Sequence, residues 1–136
     1  MMTFHKIPPN MGKYIDMSHG AGGRAMADMI AAIFKPAFAN SILARGEDQA
    51  ILPSTAGRIA LTTDSFVIQP IFFPGGNIGS LAVHGTVNDL AMGGAKPLWL
   101  TAGFIIEEGF PCDDLWQIAQ SMGEAANQAG VQIVTG

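Results

Sequence analysis

Residues 77–95 read NIGSLAVHGTVNDLAMGGA and predict the helix around which the fold is built. At 3.6 residues per turn its apolar side chains fall on nearly every side, which is typical of a helix packed on several faces. Asn77 is a suitable N-cap, and a Gly-Gly pair ends the helix. Asn88 and Asp89 lie inside it with no Lys or Arg nearby in sequence, so a buried Asp89 would need a hydrogen-bonding, ionic or metal partner. The alternative is that Asp89 lies at an exposed edge.

The composition is that of one domain with an unusually large apolar surface to bury. The chain has 136 residues, of which 49% are hydrophobic and only 13% are charged. An extensive interface would account for this excess of apolar residues. The net charge of −4, without a basic stripe, argues against nucleic-acid binding. No apolar run reaches the length of a transmembrane helix, so no membrane association is predicted.

The ends of the chain and its single cysteine lead to three expectations. Cys112 excludes an internal disulfide and fits a reducing compartment, so the protein is predicted to be cytoplasmic. Residues 1–13 lack the apolar core of a signal peptide and are predicted to be a flexible tail. This leaves 14–136 as the folded domain. Because the sequence stops directly after a predicted buried strand, it is expected to be a truncated domain.

A glycine-rich turn precedes the first predicted helix. Residues 18–23 read SHGAGG, residues 14–17 before them are predicted to form a short strand, and Pro36 is expected to end the helix. The predicted buried face of this helix consists of Met26, Met29, Ile30, Ile33 and Phe34.

The glycines of this turn can serve two purposes. Gly20, Gly22 and Gly23 would let backbone N–H groups converge on an anion at a helix N-terminus. Alternatively, they only satisfy the geometry of the turn. Gly20, Gly22 and Ala25 also fit a relaxed dinucleotide fingerprint, but no second strand with an acidic end follows the helix, so a NAD-binding dehydrogenase is disfavoured.

The remaining segments alternate between strand and helix patterns. Residues 58–65, RIALTTDS, predict a strand, and residues 98–106, LWLTAGFII, predict a strand covered on both faces. An amphipathic helix over 113–129 is ended by Gly130, and 131–134 form a final strand. The apolar stripe of that helix is Leu115, Ile118, Ala119, Met122, Ala125, Ala126 and Ala129. This order predicts an α/β layered fold.

Three carboxylates from separate segments are candidates for a metal site. Asp48, Asp64 and Asp89 each lie beside a loop or helix that is expected to approach the glycine-rich turn. Carboxylate oxygens suit Mg²⁺, which commonly uses a few of them together with substrate phosphates. A glycine turn beside such carboxylates can bind ATP with few basic residues, and the pattern therefore suggests an Mg²⁺-ATP site.

Seven segments carry a resemblance to a known family. They are HGAGG (19–23), EDQA (47–50), TTDSFVI (62–68), FFPGGNIG (72–79), GTVNDLAMGGAKP (85–97), GFIIEEG (103–109) and AGVQIVTG (129–136). Together they resemble the N-terminal half of the HypE family of hydrogenase expression/formation proteins. That family lies in the superfamily of aminoimidazole ribonucleotide synthetase (PurM), selenophosphate synthetase and thiamine-monophosphate kinase. The resemblance covers essentially the whole chain after its first dozen residues.

The resemblance implies a fold and a set of site residues. The fold would be α+β of the PurM N-terminal type, a mixed sheet with helices on one face whose sheets pair in a homodimer. ATP and Mg²⁺ would bind in a groove between the phosphate loop and the acidic motifs. The implied nucleotide-binding residues are Gly20, Gly22, Gly23, Asp64, Asn88 and Asp89, and the implied metal ligands are Asp48, Asp64 and Asp89.

The resemblance also implies an activity and partners. HypE proteins use ATP to dehydrate a thiocarboxamide on a C-terminal cysteine to a thiocyanate, which supplies the cyanide ligands of nickel–iron hydrogenase. The implied partners are a HypF-like carbamoyltransferase and the HypC–HypD complex. Cys112 is not the reactive cysteine, so no catalytic residue is assigned and the chain alone is expected to be inactive. Two alternatives stay open, a dimerisation and partner-docking module without activity and another ATP-dependent synthetase or kinase of the superfamily.

Four further polar residues leave alternatives open. His19 either contacts a phosphate or serves the local turn. His84 is expected in the core or at an interface. Glu107 and Glu108 either reach the site or lie in a solvated turn.

Overall fold

In this computed structural model, the structure describes residue 7 and residues 11–136. The helices of this part of the chain are α1 (Arg24–Met29), α2 (Lys35–Ala37), α3 (Ile78–Met92) and α4 (Cys112–Ala129). Its strands are β1 (Phe72–Phe73), β2 (Gly76–Asn77), β3 (Trp99–Thr101) and β4 (Gln132–Thr135). Short 3-10 turns occupy Met17–Gly20 and Leu43–Arg45. None of these helices is long and apolar enough to cross a bilayer.

The first two helices form one continuous rod. A π-helical stretch, Ile30–Phe34, joins α1 to α2, and the rod ends at Ala37, one residue beyond Pro36. Met29 and Ile33 of its predicted inner face are buried, and the other three residues of that face are half-buried. The predicted helix is therefore confirmed, with its end displaced by one residue.

The longest helix, α4, lies at the centre of the core as its apolar stripe predicts. Every member of the stripe except the half-buried Ala129 is buried. Two acidic residues, Asp113 and Asp114, lie in its first turn, where they complement the helix dipole. Gly130 caps its end as predicted.

Helix α3 packs against α4 and begins at a strongly bound cap. The Oδ1 atom of Asn77 accepts hydrogen bonds from the backbone N–H groups of Gly79 (2.9 Å) and Ser80 (3.4 Å). Its Nδ2 atom donates to Ser121 Oγ on α4 at 2.7 Å. Asn77 is 3% exposed, so one buried amide both starts α3 and ties it to α4.

Asn77→Ala is expected to lower the free energy of unfolding by about 2 kcal/mol, because it removes a cap and a bond between helices that are each worth about 1 kcal/mol. Chemical denaturation followed by circular dichroism measures this loss. Ser121→Ala is the comparison variant, since it keeps the cap and leaves only the Nδ2 donor of Asn77 without its partner, and it should cost about 1 kcal/mol. Equal losses in the two variants would contradict a stabilising role for the cap.

The predicted packing of α3 on several sides is only partly observed. Within the helix Gly79 and Val83 are buried, but His84, Asn88 and Asp89 are exposed. His84 is therefore not in the core of the single chain, and its alternative position at an interface stays a prediction. Asp89 lies at an exposed edge. The apolar residues on the other sides of α3 are mostly half-buried, because no other element of the described chain covers them fully.

The sheet content is smaller than the sequence predicts. Strands β1 and β2 form an antiparallel ladder, and β3 pairs with β4 in parallel, with an irregularity between Leu100 and Thr101. Residues 98–106 were expected to be covered on both faces, which is wrong for the single chain. Leu100 and Ala102 are buried, whereas Ile105 is fully exposed, because one face packs on the helices and no part of the described chain covers the other.

Two further predicted strands are absent. Residues 58–65 form no strand, because no backbone partner in the described chain pairs with them. Of residues 14–17, only Tyr14 makes an isolated bridge, to Pro111, because the 3-10 turn that starts at Met17 ends the extended backbone. The predicted flexible tail, 1–13, lies mostly outside the described residues, although Met11 is buried and Ile7 packs against the core.

Candidate functional site

An open groove of about 960 Å³ lies beside the glycine-rich turn. Its apolar lining includes three aromatic rings, Phe34, Phe38 and Phe104, whose centroids are 4.7 to 6.3 Å apart. The charged residues along it are Asp16, Lys35, Glu47, Asp48 and Glu108. The groove is therefore large enough for a small-molecule ligand and predominantly acidic in its charged lining.

A cluster of three polar residues holds the turn that leads into this groove. Asp16 Oδ1 accepts hydrogen bonds from the backbone N–H of Ser18 at 2.8 Å and from the Ser18 hydroxyl. The same oxygen lies 3.1 Å from Nδ1 of His19. These bonds from Ser18, helped by His19, lower the pKa of the Asp16 carboxyl. Asp16 is therefore an ionised cap of the 3-10 turn.

The predicted phosphate loop follows this cluster directly. Gly20 lines the groove, whereas Gly22 and Gly23 are not part of its lining. Gly22 has a φ of +77°, which a residue with a side chain rarely adopts, and Gly23 caps α1. No atom lies within 4 Å of the position that a Cβ would take at any of the three glycines. Their backbone is therefore openly accessible, although the turn geometry alone already requires one of them.

The four predicted acidic and amide site residues lie in two places. Asp48 lines the groove, whereas Asp64, Asn88 and Asp89 are exposed away from it. Phe66 lies against Gly85 on α3, so the segment that carries Asp64 passes this helix one turn before Asp89. Among the described residues, no three His, Cys, Asp or Glu side chains form a group that could hold a metal ion. The single chain therefore does not bring the predicted trio of carboxylates together.

The environment of Cys112 is that of a structural thiol. Its side chain is almost fully buried at the start of α4. Burial raises the pKa of the Cys112 thiol, and the carboxylates of Asp113 and Asp16 raise it further. A raised pKa leaves little reactive thiolate, which is typical of a structural cysteine.

Two features of the groove are missing from the sequence-based prediction. Asp16 was not singled out, although an Asp followed two residues later by Ser is a recognisable capping pattern. Phe34 and Phe38 are one helical turn apart and could have been grouped, but Phe104 comes from a distant segment. Only the tertiary fold places that ring.

These observations define a class of protein, a mixed α/β domain with a glycine-rich turn and carboxylates beside an open groove. Residues 46–136 match the family model for "AIR synthase related protein, N-terminal domain". The chain therefore belongs to the family of AIR synthase related proteins.

Individual relatives narrow the comparison within that family. The chain is 63% identical over 122 residues to carbamoyl dehydratase HypE of Bradyrhizobium diazoefficiens, covering 90% of this chain and 35% of the relative. It is 51% identical over 127 residues to carbamoyl dehydratase HypE of Escherichia coli, covering 90% of this chain and 38% of that protein. The predicted resemblance to HypE is confirmed. The chain spans about a third of the length of the curated relatives it matches.

Solved structures agree with this assignment. A crystal structure of the hydrogenase maturation protein HypE in complex with ATP matches with a TM-score of 0.85 and 52% identity, over 88% of this chain and 36% of that chain. HypE in a crystal structure of a HypE–HypF complex matches with a TM-score of 0.58 and 56% identity, over 84% and 35% of the two chains. The predicted mixed α/β fold of the PurM N-terminal type is confirmed.

Proposed function

We propose that this chain is the ATP-binding N-terminal part of a carbamoyl dehydratase that acts in hydrogenase maturation. The observation that carries the proposal is the match to HypE crystallised with ATP, at 52% identity over 88% of this chain. The TM-score of 0.85 means that the two backbones follow the same course over the matched part. The accessible glycine-rich turn and the neighbouring groove support nucleotide binding by these residues.

The proposed nucleotide contacts are those of the sequence-based assignment. Gly20, Gly22 and Gly23 offer backbone N–H groups to phosphate oxygens, and Asn88 supports them as a hydrogen-bonding side chain. Mg²⁺ would be held by Asp48, Asp64 and Asp89, where it neutralises phosphate charge. These carboxylates fit a hard cation, because they are exposed and none forms a salt bridge within the described chain. Because the described residues of one chain do not bring these carboxylates together, the proposed metal site requires that they approach one another when ATP or a second copy of the chain binds.

The proposed reaction is the one that the resemblance implies. ATP phosphorylates the oxygen of a cysteine-bound thiocarboxamide, and phosphate then leaves as the nitrile of the thiocyanate forms. Water is thus removed from the carboxamide while ATP is converted to ADP and phosphate. Cys112 is not proposed as the reactive cysteine, because its side chain is buried and the pKa of its thiol is raised. No catalytic residue is therefore assigned here, and the chain alone is expected to bind ATP without turnover.

The proposed partners are a second copy of the chain, a HypF-like carbamoyltransferase and the HypC–HypD complex, in the cytoplasm. A HypE–HypF crystal structure supports the second of these. An alternative role as a dimerisation and docking module is favoured by the many exposed apolar side chains on the extended segments. A sibling ATP-dependent synthetase or kinase is the other alternative. The docking module differs from the proposal in that it binds no ATP.

Calorimetric titration with ATP, in the presence and absence of Mg²⁺, tests the proposal. We expect binding that depends on Mg²⁺ and that weakens about tenfold in Asp64→Asn and in Asp89→Asn, the usual loss for a charged ligand. Asp28→Asn is the matched control, because Asp28 is an exposed carboxylate on α1 without an assigned role. Absence of binding by the folded chain would favour the docking module.

A further inference from the structure

The imidazole of His19 is a buried polar group beside the glycine-rich turn. This side chain is 6% exposed, and it lines the groove directly before Gly20. A buried histidine with hydrogen-bond partners for both ring nitrogens within the protein needs no ligand to account for its burial. At His19 only one of the two ring nitrogens has such partners.

All the hydrogen-bond contacts that the described residues make with the side chain of His19 involve Nδ1. This atom lies 3.2 Å from the backbone nitrogen of Asp16, 3.3 Å from its backbone oxygen and 3.1 Å from Asp16 Oδ1. Nε2 has no partner in this part of the chain. Because no buried side-chain nitrogen or oxygen among the described residues lacks a partner, Nε2 is not buried, and the side chain of His19 belongs to the lining of the groove.

The three contacts of Nδ1, one with a donor and two with acceptors of Asp16, determine which protonation states the ring can adopt when an anion is present. When the neutral ring accepts from the Asp16 backbone N–H, its proton is on Nε2. When the ring is charged, Nδ1 donates to the Asp16 carboxylate and Nε2 again carries a proton. In both forms Nε2 is an N–H donor. The third form is the neutral ring with its proton on Nδ1, in which Nε2 can only accept, and an anionic ligand disfavours that form.

The charges along the groove make such a donor important. Four carboxylates line it, against a single lysine, Lys35. A phosphate group there needs Mg²⁺ or hydrogen-bond donors to offset this negative charge. His19 is the one other side chain in the described lining that can carry a positive charge.

We propose that His19 donates a hydrogen bond from Nε2 to a phosphate oxygen of the bound nucleotide. Asp16 is then a positioning residue, because its carboxylate and backbone fix the ring through Nδ1. The inference rests on the proposed binding of ATP and adds a side-chain donor to the backbone donors of the glycine-rich turn. The competing explanation is that His19 only caps the 3-10 turn through Nδ1.

Two substitutions separate these explanations, because they replace different nitrogens of the ring. In His19→Asn the side-chain amide lies near the position of Nδ1, so it can keep the contact with Asp16 and loses the donor at Nε2. In His19→Gln the longer side chain brings its amide near the position of Nε2. Calorimetric titration with Mg²⁺-ATP should give about a tenfold loss of affinity for His19→Asn and a much smaller loss for His19→Gln. A role in capping alone predicts unchanged affinity in His19→Asn.

A second measurement follows the chemical shifts of the His19 ring nitrogens in the wild-type chain. Nitrogen-15 NMR of the imidazole side chains should show the Nε2 resonance of His19 shifting on addition of Mg²⁺-ATP, with a smaller change at Nδ1. The His19→Gln spectrum assigns the resonance by its loss, and thermal unfolding checks that both variants fold. Binding of ATP by the wild-type chain together with undiminished binding by His19→Asn, or no shift at Nε2, would overturn this inference alone. Failure of the wild-type chain to bind ATP would overturn the proposed function and this inference together.

Discussion

Gly123→Ala is expected to lower the free energy of unfolding by about 3 kcal/mol, the upper end of the usual cost of overpacking. Gly123 lies on α4 where this helix crosses the end of α2, and a Cβ atom there would overlap the carbonyl oxygen of Ala37. The obstacle is backbone, so no rotamer change relieves it. Alanine is the better helix former by about 1 kcal/mol, but this gain is smaller than the cost of separating two packed helices.

Chemical denaturation followed by circular dichroism checks this expectation. Gly93→Ala is the matched control, because a Cβ at Gly93 would make only an ordinary contact, 3.5 Å from the Leu90 carbonyl oxygen, and the backbone there suits alanine. The control should stay within about 0.5 kcal/mol of the wild-type chain. A Gly123→Ala chain as stable as the control would show that α2 can move away from α4 at little cost.

The two long helices are predictable from sequence because local rules define them. The cap at Asn77 acts within a few residues of its own position, and the apolar stripe of α4 follows from the helical period. The close contact at Gly123 is different. It depends on which backbone crosses the helix, and nothing near Gly123 in sequence indicates that Ala37 lies there.

Strands are less predictable because a strand exists only with its partner. Residues 58–65 have the composition of a strand, yet no ladder forms in the described part of the single chain. For residues 98–106 the sequence correctly predicts a strand, but pairing extends only over Trp99–Thr101 and one face is open. An apolar pattern predicts that a face of the strand is buried, but it does not identify whether the burying element belongs to the same chain or to another.

The candidate site is predictable to a similar degree. The sequence groups Gly20 with Asp48, and the structure places both along one groove. It also suggests that Asp64 and Asp89 belong with them, which the single chain does not show. Residues that can bind a phosphate or a metal ion can be recognised within each segment separately. Distances between segments are set by the packing of the helices, and the burial of His19 is a consequence of that packing.

Val67→Asp is expected to convert the proposed homodimer to a folded monomer at micromolar concentration. Val67 is 96% exposed and lies in an extended segment in which its neighbours Phe66 and Ile68 are half-buried. Leu61, 92% exposed, and Ile105 present further apolar side chains on extended segments. A second copy of the chain, pairing its own extended segments with these, would cover the open face of residues 98–106 and satisfy the unpaired backbone of residues 58–65.

The size of the effect follows from symmetry. In a two-fold dimer each substitution occurs twice, and burial of one valine side chain contributes about 1.5 kcal/mol. Loss of two such contributions weakens association about 100-fold, and the burial of two added carboxylates weakens it further. Leu61→Asp should act in the same direction. Sedimentation equilibrium over a range of concentrations measures the dissociation constants.

The matched control is Met92→Asp, which adds the same charge at an 88% exposed apolar residue at the end of α3. This position lies outside the extended segments, so the dimer should persist. Circular dichroism of all the variants should be unchanged, because Val67 and Leu61 make few contacts within their own chain. A wild-type chain that stays monomeric at high concentration would contradict the dimer. If Met92→Asp weakened the dimer as strongly as Val67→Asp, the interface would lie on another face of the molecule. The open face of residues 98–106 would then have to be buried by something other than the second copy.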